Sequence, residues 1–318
     1  GEAAKYFRER EVDAVFIINC NFGNEEAAGK IAQLIGKPVL LWGPRDTAFS
    51  EDGTRYTDTQ CGLFAISKQL KRYNLPFSYI ENCNVEDKAF DEGFRRFLSV
   101  VCMVKNFNRL KIVQVGARVK PFKSVMINEM ELMEKFGIEI VPINIGTVQQ
   151  KMNEILANRE SEVRRIGAEI KERVDCSGID EDWLTRTAAL KMALQELAEM
   201  NKCSALAAEC WTITPQILGV IPCMAIADLT DEGLPVCCET DINGTITSIL
   251  LAAAARGKSP TFFGEYTMRH PEDDNSELIW HCGPFPYSLK KEESAAKIIG
   301  GRPSWEIMGG EITIARFD

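Results

Sequence analysis

Two glutamates and a histidine stand where their side chains could act on one substrate. Glu239, Glu265 and His281 each come directly after an apolar run that is typical of a β-strand. The three runs are residues 234–238, 260–264 and 276–280. Because parallel strands align their carboxyl ends along one edge of a sheet, side chains at these positions can converge. Two carboxylates and an imidazole suit Mn²⁺, Mg²⁺, Co²⁺ or Zn²⁺, so the sequence predicts a divalent-cation site with carboxylates available for proton transfer.

Other residues near these positions could complete such a site. Asp241 lies two residues beyond the first glutamate, close enough to belong to the same group of ligands. Glu209 follows a predicted strand and would face the same region as an acid outside the ligand set. Trp211 and Tyr266 could line a sugar pocket, and the alternative for both aromatic residues is the hydrophobic core. Glu265 follows an aromatic run, so we expect it to be desolvated.

The same residues also fit purely structural roles. Glu239 and Asp241 precede a helical pattern, and a carboxylate at a helix N-terminus contributes roughly 0.3–1 kcal/mol. His281, beside Trp280, could be a neutral histidine of the core. The second histidine, His270, lies in a polar stretch and is expected to be solvated.

The eleven cysteines favour neither a disulfide framework nor a zinc module. They include no CxxC pair, and most lie in apolar segments where a thiol packs as a small hydrophobic group. A zinc site that combines His281 with nearby cysteines is disfavoured because the spacings fit no compact module. The cysteines considered for it are Cys210, Cys223, Cys237, Cys238 and Cys282.

Apolar β-type runs alternate with helical patterns along most of the chain, which predicts βαβ units and parallel sheets. Besides the three runs above, the predicted strands are residues 12–18, 38–42, 77–80, 110–116, 138–145 and 204–208. The predicted helices are residues 25–34, 60–73, 90–103, 124–136, 148–173, 182–200 and 245–256. A polar stretch at residues 106–109 separates two such series, and we place a domain boundary there.

The composition is that of an ordinary globular chain. Of the 318 residues, 45% are hydrophobic and 26% are charged. The net charge of −9, without a basic cluster, disfavours nucleic acid and anionic membranes as partners. No apolar run approaches the roughly 18–20 residues that span a bilayer, and the first residues do not resemble a signal peptide. We therefore expect a cytoplasmic protein, and the lack of a GxGxxG motif after any strand argues against a dinucleotide cofactor.

The order of these motifs resembles the L-fucose/L-arabinose isomerase superfamily. Residues 239–241, before an alanine- and leucine-rich helix, look like its Glu-x-Asp turn. Residues 261–267 look like its Ser/Thr-Phe-x-Glu-Asp-Tyr-Thr segment, and residues 278–282 look like the strand that ends in its ligand histidine. Segments similar to the first strands of its N-terminal and middle domains are residues 12–15, 37–41 and 110–116. The resemblance thus spans nearly the whole chain.

The resemblance implies an α/β fold with two doubly wound, Rossmann-like parallel-sheet domains, followed by the start of an antiparallel β domain. The corresponding domains are residues 1–106, 107–256 and 257–318. It also implies an Mn²⁺-dependent aldose–ketose isomerase, with Glu239 and Glu265 as metal ligands and acid–base pair and His281 as the imidazole ligand. Whether Glu239 or Asp241 contacts the metal stays open. The resemblance further implies a homo-oligomer, a trimer or hexamer, in which the N-terminal domain closes the pocket of a neighbouring subunit.

Two features depart from the superfamily pattern. No histidine follows His281, although superfamily members have a further histidine ligand in the C-terminal domain. Members also begin with an additional strand and helix, so we expect the chain to lack segments at both ends. These departures keep a second hypothesis open, namely a non-catalytic sugar-binding or regulatory module on the same two-lobed fold. The motifs name no particular sugar.

Overall fold

A computed structural model describes residues 1–46, 49–211 and 213–318. The chain divides into two compact units, Gly1–Lys105 and Asn106–Asp318. Both are α/β, with parallel sheets in each unit and small antiparallel sheets near the C-terminus, so the predicted fold class is confirmed. The division of the second unit at residue 256 stays a prediction. None of the helices in the described part of the chain has the length and apolar character needed to cross a membrane.

The first unit is built around a parallel sheet in the order β1-β2-β3. Its strands are β1 (Val15–Ile18), β2 (Val39–Trp42) and β3 (Phe77–Tyr79). Its helices are α1 (Glu2–Glu9), α2 (Glu25–Ile35), α3 (Thr59–Arg72) and α4 (Lys88–Phe107), the last of which continues past the boundary. Leu41 packs with the buried residues of α2 and α3, whereas Leu40 packs with Phe97 of α4. The sheet is therefore covered on both faces, as in doubly wound folds.

The second unit contains a parallel sheet in the order β5-β4-β6-β7. Its strands are β4 (Lys111–Val115), β5 (Glu139–Ile143), β6 (Ala205–Ala208) and β7 (Val236–Cys237). Its helices are α5 (Glu129–Phe136), α6 (Ile145–Asn158), α7 (Glu160–Arg173), α8 (Glu181–Met200), α9 (Ile213–Leu218), α10 (Cys223–Asp231) and α11 (Ile242–Ala254). The chain runs from β4 to β5 on one side and returns to β6 on the other. This makes the gap between β4 and β6 a topological switch point, where α/β sheets commonly bind ligands.

Two antiparallel pairs follow the second sheet. They are β8 (Glu265–Arg269) with β9 (Glu277–Trp280), and β10 (Lys297–Ile299) with β11 (Arg302–Ser304). Short 3₁₀ helices lie at Lys123–Val125, Cys238–Thr240 and Tyr287–Leu289.

Local signals explain several helix ends. The side chain of Asn24 accepts a hydrogen bond from the backbone N–H of Ala27 at 3.0 Å and begins α2, and Gly36 ends this helix in a left-handed conformation (φ 66°). The predicted helix 124–136 begins only at α5, because Asn128 caps that helix through the N–H of Glu131.

Two sequence predictions are wrong in detail, and three helices are missing from the prediction. The predicted helix 148–173 is two helices, α6 and α7, because the backbone at Arg159 leaves helical geometry (φ −133°, ψ 39°). Residues 260–264 form no strand, and Glu265 instead begins β8. The helices α1, α9 and α10 were not predicted. In α10 every residue before Asp231 is buried, so the helix lacks the polar face on which helical periodicity depends.

Candidate metal centre

Glu239, Glu265 and His281 meet in space. One ligand atom from each of these residues lies within 4.8 Å of the other two. Glu239 is half-buried, Glu265 is exposed and His281 is buried, with only 3% of its surface exposed. The three residues that the sequence predicts as ligands therefore form one group in the second unit.

A tight turn after β7 presents Glu239. The 3₁₀ turn Cys238–Thr240 follows the strand directly, and both Glu239 (φ 65°) and Thr240 (φ 57°) have left-handed backbone conformations. Such conformations cost non-glycine residues of order 1–3 kcal/mol each and persist where surrounding contacts impose them. The hydroxyl of Thr240 donates to the carbonyl of Ala117 at 3.2 Å, which ties the turn to the loop after β4. A strained, anchored turn thus holds the first glutamate in place.

An antiparallel pairing, not a shared edge of parallel strands, brings the other two residues together. Glu265 begins β8 and is paired with Trp280, the last residue of β9. His281 follows Trp280 and therefore lies beside Glu265. The expected arrangement at the carboxyl ends of parallel strands is wrong for this pair, and so is the expected desolvation of Glu265, whose side chain is exposed at the start of its strand.

The imidazole of His281 has one nitrogen engaged and one without a hydrogen bond. Its Nδ1 lies 3.4 Å from Sγ of Cys282, and the ring of Phe263 packs edge-on at a centroid distance of 5.1 Å. Its Nε2 is buried, has no hydrogen-bond partner among the described residues, and lies 3.9 Å from Oε1 of Glu239. A buried nitrogen left without a partner is costly. A cation between this nitrogen and the two carboxylates would satisfy it, so the residues present fit a divalent cation.

Burial and neighbouring groups shift the pKa values of Glu239, His281 and Cys282. Burial raises the pKa of Glu239, and the nearby Glu265 carboxylate adds to the rise while His281 opposes it. Burial lowers the pKa of His281, but Cys282, Glu239 and Glu265 outweigh that effect and leave the pKa raised. The hydrogen bond from Cys223 lowers the pKa of Cys282 to about 4. The neighbouring His281 acts in the same direction, whereas burial acts in the opposite direction.

Asp241 lies outside the group and has a structural role. It is the N-cap of α11, accepting a hydrogen bond from the N–H of Gly244 at 2.9 Å. It is 1% exposed and pairs with Arg316, whose Nη1 lies 2.8 Å from Oδ2. The capping role considered for Asp241 is therefore confirmed.

Glu209 lies at the switch point between β4 and β6 and also stands outside the group. Its buried side chain accepts a hydrogen bond from the N–H of Ala117 at 3.3 Å. A Cβ on Gly116 would lie 2.6 Å from Oε2 of Glu209, so the glycine (φ 77°) makes room for this carboxylate.

The two aromatic candidates are exposed, so the core alternative for them is wrong. Trp211 is 46% exposed and packs edge-to-face against Phe122, at a centroid distance of 5.3 Å. Tyr266 in β8 is 64% exposed and pairs with Ile279. His270 is exposed, as expected from its polar surroundings.

All eleven cysteines are free thiols, and the ligand group contains none of them. Sequence reasoning nevertheless missed a contact of chemical interest, because Cys282 touches the ring of His281. The dipeptide His281-Cys282 was the available signal, but adjacency in a chain does not show that two side chains touch.

Known proteins with sequences similar to this chain are sugar isomerases. A family model described as the N-terminal domain of fucose/sulfoquinovose isomerase matches residues 1–108. Two relatives, the sulfoquinovose isomerases of Priestia aryabhattai and Priestia megaterium, are each 27% identical over 314 residues, which is 96% of this chain and 68% of the relative. The sulfoquinovose isomerase of Alkalicoccus urumqiensis is 24% identical over 313 residues, with the same coverage.

These similarities indicate the class of aldose–ketose isomerases, which are intramolecular oxidoreductases. Within that class, the chain is similar to the fucose/sulfoquinovose isomerases, whose N-terminal family model matches its first 108 residues.

Proposed function

We propose that this protein is a divalent-cation-dependent aldose–ketose isomerase that works through an ene-diol intermediate, with Mn²⁺ as the first candidate cation and Mg²⁺ or Co²⁺ as alternatives. The observation that carries the proposal is the group of Glu239, Glu265 and His281. In this group a buried imidazole nitrogen, which has no hydrogen-bond partner in the described part of the chain, lies near two carboxylates. This donor set suits a cation that accepts both oxygen and nitrogen ligands.

Isomerisation moves a proton between C1 and C2 of a sugar while negative charge develops on O1 and O2. A bound divalent cation would supply stabilisation of that charge. The side chain of His281 would hold the cation through Nε2, and Glu239 and Glu265 would hold it through carboxylate oxygens.

The two glutamates would also carry the protons. Burial raises the pKa of Glu239, which brings this carboxyl closer to the balance between acid and base that proton transfer requires. Glu265 is exposed at the start of β8 and is free to face a substrate that enters from solvent. Both glutamates are therefore our candidates for the acid–base pair. Asp241 is not included, because its carboxylate accepts a hydrogen bond from Gly244 and pairs with Arg316.

The substrate we propose first is sulfoquinovose, because the named relatives are sulfoquinovose isomerases. L-fucose, D-arabinose and L-arabinose are the other candidates, because the sequence motifs resemble enzymes for these sugars. We also propose the cytoplasm as its location, where free thiols such as those of this chain persist.

The test is an assay of ketose formation from this panel of sugars, with chelator-treated protein to which Mn²⁺, Mg²⁺ or Co²⁺ is returned. We expect turnover only after a cation is added, and loss of that turnover in His281→Ala. The matched control is His270→Ala, which removes an exposed histidine and should keep the wild-type response. Full turnover in chelator would contradict the cation dependence. Sugar binding without turnover would favour the non-catalytic module.

A further inference from the structure

Resting on the proposed cation site, we infer that Cys282 is a positioning residue whose sulfur holds the His281 ring with Nε2 directed at the two glutamates. The observation is a contact on the side of the ring away from the glutamates. Sγ of Cys282 lies 3.4 Å from Nδ1 of His281, while Nε2 lies 3.9 Å from Oε1 of Glu239. One nitrogen is thus held by sulfur while the other is left for a ligand.

The direction of this hydrogen bond follows from the chemistry of histidine ligands. A ring nitrogen that binds a cation has no proton, so in the neutral imidazole the proton lies on the other nitrogen. With Nε2 as the ligand atom, Nδ1 carries the proton and donates a hydrogen bond to the sulfur of Cys282. Ligand histidines are commonly fixed in this way by an acceptor on their second nitrogen, usually a carboxylate or a backbone carbonyl. Here the acceptor is a sulfur atom.

The surroundings of Cys282 support a fixed acceptor. Cys282 is itself half-buried, so the residues packed around it restrict the movement of its sulfur. Phe263 packs edge-on against the ring of His281, which limits its rotation. The sulfur itself does not belong to the group of ligand atoms that lie within 4.8 Å of one another. Cys282 therefore acts on the cation through His281.

The experiment measures Mn²⁺ binding by calorimetry for the wild type, Cys282→Ala and Cys282→Ser. Loss of a hydrogen-bond partner behind a ligand typically reduces metal affinity about 10- to 100-fold. We expect Cys282→Ala to lose affinity on this scale. Cys282→Ser, which retains an acceptor of similar size, should recover most of it. The matched control is Cys203→Ala, which removes another half-buried thiol whose partner is the carbonyl of Asn201.

Several outcomes separate this inference from others. Wild-type affinity in Cys282→Ala overturns it, and so does an equal loss in Cys282→Ala and Cys282→Ser, since that pattern reports packing. With Co²⁺ bound, a sulfur-to-cobalt charge-transfer band would make Cys282 a ligand and also overturn the positioning role. If the wild type itself binds no Mn²⁺, Co²⁺ or Mg²⁺, the proposed cation dependence fails and the positioning role fails with it. If the wild type binds and Cys282→Ala is unchanged, only the positioning role fails.

Discussion

At the scale of single residues, His281 combines two properties that rarely occur together. Its ring is buried, yet Nε2 has no hydrogen-bond partner among the described residues. A core histidine would be expected to have both nitrogens satisfied. This arrangement supports the proposal that His281 binds a ligand through Nε2.

Replacing His281 by alanine should reduce Mn²⁺ affinity by at least about tenfold, the scale on which even changes behind a ligand act. The physical reason is the loss of the only nitrogen in the ligand group. Isothermal calorimetry on chelator-treated protein measures the effect. Asp241→Asn is the control, because Asn can still cap α11 and Asp241 lies outside the group. Equal affinity in His281→Ala and the wild type would remove His281 from the site.

The two glutamates can be tested by removing charge while keeping size. Glu239→Gln and Glu265→Gln should each reduce turnover by roughly 10²- to 10⁴-fold, the usual contribution of a general acid or base. Exchange of the C2 proton with deuterated solvent should fall together with ketose formation, and circular dichroism should show an intact fold. A variant that keeps near-normal exchange would show that its glutamate is at most a ligand. The base would then have to be sought at Glu209, the remaining carboxylate candidate.

At the scale of elements, α6, α7 and α8 are joined by one carboxylate. Glu196 of α8 lies 2.8 Å from Nζ of Lys151 in α6 and also pairs with Arg159 at the junction of α6 and α7. The break in the predicted helix 148–173 falls at the residue that makes this pairing. A local turn in the chain is thus coupled to a contact with a distant helix.

This carboxylate predicts a dependence of stability on pH. The hydrogen bond from Lys151, and then that from Arg159, lower the pKa of Glu196 from its ordinary value of 4.5, against the effect of burial. A lowered pKa stabilises the fold above pH 4.5, and this contribution is lost as the pH falls through the pKa of the folded state. Glu196→Gln should therefore reduce the free energy of unfolding by about 1 kcal/mol near neutral pH.

Urea denaturation at several pH values measures this effect. The difference between Glu196→Gln and the wild type should shrink as the pH falls below 4.5. Glu199→Gln, at an exposed position of the same helix, is the control and should change stability little. A difference that stays constant over the whole pH range would exclude the ion pairs as its cause.

At the scale of the whole molecule, the first unit leaves apolar surface uncovered. Phe22, Tyr56 and Phe64 are large side chains that are each exposed. Among the described strands, β1 pairs only with β2, so its other edge carries unpaired peptide groups. Exposed apolar side chains and open strand edges are common features of surfaces that bind another chain.

We therefore predict a homo-oligomer, a trimer or hexamer as the superfamily resemblance implies. Size-exclusion chromatography with light scattering at micromolar concentration measures the mass directly. We expect a mass of at least three chains of 35.6 kDa. A single species with the mass of one chain would contradict the prediction.

The sequence by itself determined the α/β class, most of the strands and helices of both units, and the three residues of the candidate site. These are local properties, because strand runs, helical periodicity and the residue after a strand can be identified without knowing which elements are neighbours. The resemblance to the isomerase superfamily rested on the same local motifs and on their order.

Only the tertiary structure decided how the site is assembled. Glu265 meets His281 through the register of an antiparallel pair, and register depends on contacts between strands and not on the composition of either one. The carboxylate of Asp241 accepts a hydrogen bond from Arg316, which is 75 residues away in the chain. Long-range contacts therefore decide which of the carboxylates belong to the candidate site. Local sequence patterns cannot predict such contacts.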